Sequence, residues 1–584
     1  MTGSLAADAP PDDRSGGSGE RSAQTPGKGT PLGKATSRDG RADLAVGAFT
    51  PNGPWTVELD RMAWRSAAPG RPDVDTRRRQ AADEARRLVS SSVRPRPARA
   101  AAVVVRIGGA LLLWRLRERG TERSRAGLSR RLRRAFERLG PTYIKLGQIL
   151  SSGEGVFPDE LVAEFRLLRD RVRPEPFSVV RRTVESELGR PLADTFLSFD
   201  PIPIASASIA QVHAATLRSG ERVAVKVQRS TVDRLVRLDL AVMAWLAPVL
   251  VGRIPVAALT NPPALVDLFA ETIVEELDFR LEAQNMLDIA AVYASSDQRA
   301  VVVPRPHPTL VTRRVLVMEH LSGFAWGDAS AMQAAGIDTA AVLRATLIAF
   351  LEGALLHGVF HGDLHGGNLL VRRDGTVALL DFGITGRLDE RGRLGFLRLE
   401  MGATTNDIVL QVQALRDLGA LPPEIDVDAV IHDLGLDRPP VDPTTLTADE
   451  MVAELREITK GLLEYGARMP KELMLFVKDV LFLNGAMATM APDVDIMEEI
   501  MAVATYFTER YGARIAAELG MEVSTDAIDL DGYRAALGFP DERGAITFED
   551  LQERRELIRR RLEHRHETER SRRGWRRFGR RGPR

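Results

Sequence analysis

The chain has 584 residues, 44% of them hydrophobic, and carries 80 Lys plus Arg against 80 Asp plus Glu. That length provides for two or more domains and a large core, and a net charge of zero singles out no charged partner. With no cysteine anywhere, disulfides, thiol catalysis and thiolate metal sites are excluded, which suits a reducing cytosol.

Residues 1–75 lack sustained periodicity and open on Gly, Ser, Pro and charge without an apolar run. They are expected to form a disordered N-terminal segment with no secretory signal; Trp55 and Trp64 fall in it with no assigned place. From Arg77 to Arg138 the pattern turns helical and Arg-rich. A second helical region runs from Gly140 to Arg171, broken at Pro158. Residues 76–171 thus read as a helical extension. Its most apolar run, Ala101–Trp114, is short of the about 20 residues a spanning helix needs and carries Arg106, and Ala241–Gly252 is interrupted by Pro248. Any membrane contact is therefore expected to be peripheral.

Around Pro201 short β-rich runs appear, Ser208–Ala215 and Arg222–Val227, followed by an acidic helical stretch, Leu265–Leu287, and strands Ala300–Val303 and Arg314–Met318. A helix over Thr339–His357 leads to two short strands, Leu369–Val371 and Val377–Leu380, around the turn Arg372–Gly375. After Asp389 the chain is mostly helical to about Arg514. Strands followed by helices, with a helix among the strands, predict a two-lobed α+β enzyme. The lobes are placed at 172–323 and 324–515, with a C-terminal region at 516–584.

The strongest chemical signal is His361-Gly362-Asp363-Leu364-His365-Gly366-Gly367-Asn368 followed by Asp381-Phe382-Gly383. An Asp, an Asn five residues on, a strand pair and then D-F-G match the catalytic loop and metal-binding segment of protein kinases. Phosphoryl transfer concentrates charge on phosphate oxygens, which Mg²⁺ neutralises; hard Mg²⁺ prefers oxygen ligands, here Asn368 and Asp381. Asp363 is then expected to orient, or take a proton from, the attacking hydroxyl or water. A solvated turn between strands accounts for the Gly and Asp but not the joint spacing. A metal hydrolase using His361, Asp363 and His365 is the other reading, disfavoured by Asn368 and D-F-G.

Upstream, Ala205-Ser206-Ala207-Ser208-Ile209-Ala210-Gln211-Val212 stands in the register of the kinase G-x-G-x-x-G-x-V loop with Ala at each Gly, and Val223-Ala224-Val225-Lys226 matches the V-A-I-K strand whose lysine binds the α and β phosphates. Ala205, Ser206, Ala207, Ser208, Ala210 and Val212 are the expected nucleotide contacts of the loop. Lys226 needs a carboxylate; Glu271, Glu275, Glu276, Asp278 and Glu282 are the candidates, and periodicity does not choose among them. Met318-Glu319-His320-Leu321, ending at Gly323, stands where a kinase hinge gives backbone groups to adenine, so Glu319 and Leu321 are placed there.

Taken together, these motifs resemble the UbiB family of atypical kinases, linked to quinone and isoprenoid-lipid metabolism. Lys145-Leu146-Gly147-Gln148 matches its K-x-G-Q motif, Pro203 to His213 its alanine-rich loop, and Glu276-Leu277-Asp278 its E-x-D motif. The resemblance covers roughly residues 100 to 505. It implies a protein-kinase-like fold with an N-terminal helical extension carrying K-x-G-Q folded over the active site, Lys145 paired with Glu276, and Glu282 paired with Lys226. It further implies ATP and Mg²⁺ as cofactors and a lipid or quinone-pathway partner. The family's H-x-D-x-H-P-G-N has Gly366 in place of its Pro, which loosens the loop without removing a functional group.

Many bacterial members of that family end in hydrophobic spans, whereas Arg570–Arg584 holds eight arginines interleaved with Trp575 and Phe578. Such a tail suits an anionic membrane surface or simple solvation, with nucleic acid the less expected partner. The expected activity is that of an ATPase or small-molecule kinase in the cytoplasm, peripheral to the inner face of the membrane. A nucleotide-binding scaffold with little turnover is the alternative; an antibiotic-type phosphotransferase lacks K-x-G-Q helices.

Overall fold

The computed structural model describes residues 48–50, 53–55, 57–65, 73–90, 92–118, 124–151, 159–168, 173–250, 262–405, 407–437, 461, 465–467, 470–520, 546–550, 553 and 556. The basic tail lies outside them. The N-lobe is built on a five-stranded antiparallel sheet of order β1-β2-β3-β6-β5, comprising β1 (Phe196–Ser206), β2 (Ala210–Leu217), β3 (Arg222–Gln228), β5 (Pro306–Val311) and β6 (Val315–Glu319). β3 is central and, beyond Arg222, buried throughout, which explains its near-continuous Val/Ala run. The strand expected over Ser208–Ala215 begins at Ala210, because residues 207–209 form a turn. β1 was not foreseen: its prolines and exposed positions suit an edge strand and mask the alternation by which strands are recognised.

The long helix expected over Leu265–Leu287 is two helices, α9 (Pro262–Glu275) and α10 (Phe279–Ser295). Asp278 ends one and caps the other, accepting from the Arg280 amide at 3.1 Å. The break falls in Glu276-Leu277-Asp278 and turns Glu276 and Glu282 toward one cleft.

The C-lobe packs α12 (Thr339–Leu351), α13 (Glu390–Thr404), α16 (Lys471–Met490) and α17 (Ile496–Leu519) against a small sheet of order β4 (Val301–Val302), β10 (Val377–Leu379), β9 (Leu369–Val371) and β7 (Phe324–Ala325), and against the pair β8 (Val359–His361) and β11 (Thr385–Arg387). A π-helical turn, Glu352–Leu356, continues α12 toward β8 and the His361–Asn368 loop. Its Glu352, wholly buried, accepts from the hydroxyls of Tyr506 at 2.6 Å and Tyr511 at 2.7 Å, so α17 supports the helix that enters the loop. This is the two-lobed kinase-like α+β fold that the motifs predict.

The helical extension comprises α1 (Val74–Val89), α2 (Pro97–Arg117), α3 (Ser124–Leu139), α4 (Pro141–Ser151) and α5 (Asp159–Arg166). Its core is shared with α8 (Val232–Leu250) and α9, through Phe136, Tyr143 and Phe165 against Leu240, Phe269 and Ile273. The expected boundary at 171/172 therefore divides the chain but not this core. Gly147 of K-x-G-Q lets α4 pack closely: a Cβ there would lie 2.2 Å from Leu168 Cδ1.

Two expectations are corrected. Within the span read as disordered, residues 48–50 and 57–65 are packed: Phe49, Met62 and Trp64 are buried. Ala48 O accepts from the Val303 amide at 2.7 Å, and the indoles of Trp55 and Trp64 donate to Pro306 O and His307 O at 3.0 and 3.2 Å. A few large side chains suffice to bind these residues along an existing sheet edge, and no periodicity records that. In addition, α2 runs for 21 residues, beyond the apolar run seen in the sequence. Among the described residues it is one of three helices, with Thr339–Leu356 and Lys471–Met490, long and apolar enough by length and composition to cross a membrane. Only 6% of its apolar window is buried, whereas the other two stand in the C-lobe.

Two half-buried histidines make stability depend on pH. Burial pushes His307, against Trp55, and His357, hydrogen-bonded to Ser296, down to about 4. Both stay neutral in the folded chain but protonate near pH 6.5 when unfolded. Their stabilisation is therefore complete above pH 6.5 and is lost as pH falls toward 4, by up to about 2 kcal/mol each. Urea midpoints should drop between pH 7 and 5, and His307→Gln should flatten that slope; an unchanged slope contradicts the assignment.

Candidate active site

β3 carries Lys226 between Val212 on β2 and Leu316 on β6. Its ammonium lies 2.6 Å from Glu282 Oε1 on α10 and 3.0 Å from Asp381 Oδ1, above the Phe279 ring. Burial works against this charge, but the carboxylates of Asp381 and Glu282 outweigh it and hold the lysine protonated. Of the carboxylates that periodicity leaves open, Glu282 meets Lys226, and Glu276 meets Lys145 of α4 at 2.8 Å. Asp278 pairs with Arg280 instead.

Asp381 has φ +56°, a left-handed conformation rare for a residue with a Cβ. It holds its carboxylate, 45% exposed, at the cleft, where Oδ1 also accepts from the Gly383 amide at 3.2 Å. Lys226 and Lys145 depress it to about 2 against the opposing effect of burial. Asn285 of α10 fixes the segment from behind, donating to Phe382 O at 2.9 Å. Asn368, buried, donates Nδ2 to Asp363 O at 2.9 Å. Its amide nitrogen is thereby used, and the oxygen is the atom left for a cation. An amide oxygen beside a carboxylate fits Mg²⁺.

His361 does not converge with Asp363 and His365 as a metal ligand. Its Nε2 lies 3.2 Å from Leu380 O and its Nδ1 accepts from the Asp363 amide at 3.2 Å. Both ring nitrogens are occupied in shaping the loop, and burial keeps the ring neutral. His365 Nδ1 accepts from the Gly367 amide at 3.0 Å, and its Nε2 is 4.0 Å from Asp363. These contacts oppose the metal-hydrolase reading.

Asp363 has a partner that no local motif announces. Lys478 of α16 lies 2.6 Å from Asp363 Oδ1 and 2.8 Å from Gly362 O, and its neighbour Asp479 accepts from the Leu364 amide at 2.9 Å. Burial would raise the Asp363 carboxyl, but Lys478, then Lys145, hold it well below the ordinary range. The one sequence cue is a Lys-Asp pair inside the apolar run Leu473–Leu483.

The alanine register forms the turn between β1 and β2. Ala205 and Ser206 end β1, Ala207–Ile209 turn, and Ala210 and Val212 begin β2. The Ala207 amide donates to Ala210 O at 2.9 Å, so the turn is closed on itself. Ser208 is buried, and Ile209 packs into the core of the helical extension. At the hinge, Glu319 ends β6 with its side chain facing away from the cleft: it accepts from Thr50 Oγ1 at 2.6 Å and from the Arg305 amide at 3.3 Å. Its place in the nucleotide site could thus be only through backbone. Leu321 follows, and Gly323 approaches so closely that a Cβ would meet Val371 O at 2.5 Å.

The ABC1 atypical kinase-like domain matches residues 167–414. An uncharacterized Mycobacterium tuberculosis protein is 38% identical over 381 residues, covering 63% of this chain and 76% of that one. An uncharacterized chloroplastic aarF domain-containing protein kinase of Arabidopsis thaliana is 31% identical over 396 residues, 63% of this chain and 73% of that one. A probable protein kinase UbiB of Marinobacter nauticus is 30% identical over 370 residues, 63% and 67% of the two chains.

The ion pairs differ in burial, and so should the cost of breaking them. Glu282→Gln leaves a buried ammonium short of its nearest counter-charge and should destabilise the fold by about 3 kcal/mol. Asp381→Asn, at a half-exposed position, should cost under about 1 kcal/mol. Denaturant unfolding of the two variants checks the order; equal losses would mean that Glu282 is not the anchor of Lys226.

Proposed function

We propose that this chain, which belongs to the UbiB-type family of atypical kinases that carry the ABC1 domain, binds Mg·ATP between its lobes and transfers or hydrolyses the terminal phosphoryl group in support of quinone or isoprenoid-lipid metabolism. The observation that carries this reading is the convergence of Lys226, Glu282 and Asp381 from three separate elements, with Asn368 and Asp363 on the facing loop. A relative named UbiB supports the metabolic setting.

In this reading Lys226, held by Glu282, takes the α and β phosphates. Asn368 and Asp381 hold Mg²⁺, which when bound neutralises the phosphate oxygens. Asp363, kept ionised and aimed by Lys478, accepts a hydrogen bond from the attacking hydroxyl or water. The acceptor's proton leaves toward its Oδ2 side, because Oδ1 is committed to Lys478. Lys145, brought in by the extension and paired with Glu276, narrows the cleft beside Asp363 and Asp381, which disfavours a bulky protein acceptor. The same contact is what favours the second reading, a nucleotide-binding scaffold with little turnover.

Asp363→Asn separates the two readings. As a transition-state group its loss should lower phosphate release at least about 100-fold while the Mg·ATP-induced rise in melting temperature survives. Asp381→Asn should abolish that rise. If wild type shows the rise but releases phosphate no faster than Asp363→Asn, the scaffold reading replaces the enzymatic one.

A membrane surface is the setting we propose for this chemistry. α2 packs on the fold through Val103 and Ala110, and Arg99 grips the buried Asp239 with bonds of 2.6 and 2.9 Å. Its other face exposes Val105 (70%), Leu112 (56%) and Leu116 (72%), bordered by Arg106, Arg115 and Arg117. An apolar face rimmed by arginine suits an anionic bilayer interface. Leu112→Glu with Leu116→Glu should reduce co-sedimentation with anionic liposomes several-fold at unchanged melting temperature. Full retention would move the anchor to Arg570–Arg584.

A further inference from the structure

Three residues beyond Lys226, where β3 ends, the chain carries Arg229. Its side chain turns back beneath the alanine turn and is buried, 6% exposed. The guanidinium donates through Nε to Ala207 O at 2.9 Å, through Nη2 to Ser206 Oγ at 2.9 Å, and through Nη1 to Arg173 O at 3.1 Å. Its own amide donates to Ile209 O at 2.9 Å. One residue thus holds the turn at Ser206, Ala207 and Ile209, and joins it to the segment arriving from the helical extension.

We infer that Arg229 is a positioning residue that fixes the height of the alanine turn over the nucleotide phosphates. The inference rests on the Mg·ATP reading of the cleft. The turn cannot set its own height. Its closing bond, Ala207 N–H to Ala210 O, makes it a tight unit but leaves that unit hinged on the ends of β1 and β2. A buried cation bonded to two successive residues of the turn removes the hinge. Because Arg229 and Lys226 leave the same strand, the distance from the turn to the phosphate lysine is set by three residues of β3.

The layer behind is built to the same end. Glu175 accepts from Ser230 N and Oγ, beside Arg229, and its amide donates to Gln211 Oε1 at 2.9 Å. Gln211 Nε2 lies 2.9 Å from His213 Nε2, and His213 Nδ1 lies 2.8 Å from Asp200 O. The ring therefore donates from Nδ1 and accepts at Nε2, which ties β1 to β2 below the turn.

A guanidinium presents donors in a fixed plane; a lysine offers a compact charge that reproduces neither the plane nor the number of contacts. Arg229→Lys should therefore weaken Mg·ATP binding about tenfold and raise the KM for ATP with kcat little changed. The binding of adenosine, which has no phosphate, should stay as in wild type, and the nucleotide-free melting temperature should fall by only a few degrees. Ser206→Ala, which removes a single acceptor, should weaken Mg·ATP in the same direction by about two- to threefold, and it tests the inference even if Arg229→Lys folds poorly. Titration calorimetry of wild type and both variants with Mg·ATP and with adenosine decides the matter. Loss of Mg·ATP affinity with adenosine retained supports the inference. Wild-type affinity in both variants overturns it, as does a parallel loss of both ligands with a lowered melting temperature, the mark of a purely structural arginine. Failure of the wild type to bind Mg·ATP at all would overturn the cleft reading and this inference together.

Discussion

Burying an ammonium costs several kcal/mol unless its partners are delivered with it, and Lys226 imposes that condition on the whole N-lobe. Its two carboxylates arrive from α10 and from the segment after β10 (Val377–Leu379), elements that meet only when both lobes are assembled. Much of the architecture keeps α10 where Glu282 can reach. The break after α9 aims it, Asp278 caps it, and Asn285 bonds it to Phe382. From the outer side Arg65 donates to Gln284 at 3.0 Å and Arg78 to Asn285 at 3.1 Å. The packed N-terminal residues and α1 thus bear on the same helix as Lys226.

What could be read from the sequence was whatever the chemistry keeps close along the chain. Asp363 and Asn368 share one loop, Asp381 follows one strand pair later, and Lys226 sits in a strand whose Val/Ala pattern is unambiguous. Each of these is a local arrangement of backbone and side chain, so spacing carries the information. Lys478 is different. It acts on Asp363 from a helix more than a hundred residues away, and nothing in its own surroundings requires a partner beyond the oddity of two charges in an apolar run. The pairing of Glu282 with Lys226, and of Glu276 with Lys145, came from family resemblance because a helical pattern alone offers five carboxylates. The break that sorts them depends on Asp278 acting as a cap, which is a property of the turn and not of the period. The Ala48–Arg65 region escaped for the opposite reason: its apolar residues follow no helix or strand period, and its two tryptophans bind to carbonyls of a strand that only the tertiary structure presents.

The cleft is atypical in two linked ways. Its alanine turn is a closed hairpin with Ile209 planted in the helical extension, and a lysine of that extension reaches Glu276. Both contacts come from one helical body, whose core also includes α8 and α9. An enzyme that must admit varied protein substrates needs a loop that opens; here the loop tip and the neighbouring lysine are fixed to the same support. Under the phosphoryl transfer proposed above, that arrangement fits a small acceptor, or water, better than an extended polypeptide.

The shared core has a further consequence, for biosynthesis. α3 and α4 leave the ribosome early, yet the residues that cover their apolar faces, among them Leu240, Phe269 and Ile273, lie on α8 and α9. At roughly 5–20 residues per second, about ten seconds pass between completion of α4 and the arrival of α9. For that interval the faces of Phe136, Tyr143 and Phe165 that meet α8 and α9 in the finished fold stay open, and the nascent chain offers them to chaperones. The first helices of the chain thus acquire their core only once α8 and α9 have been made.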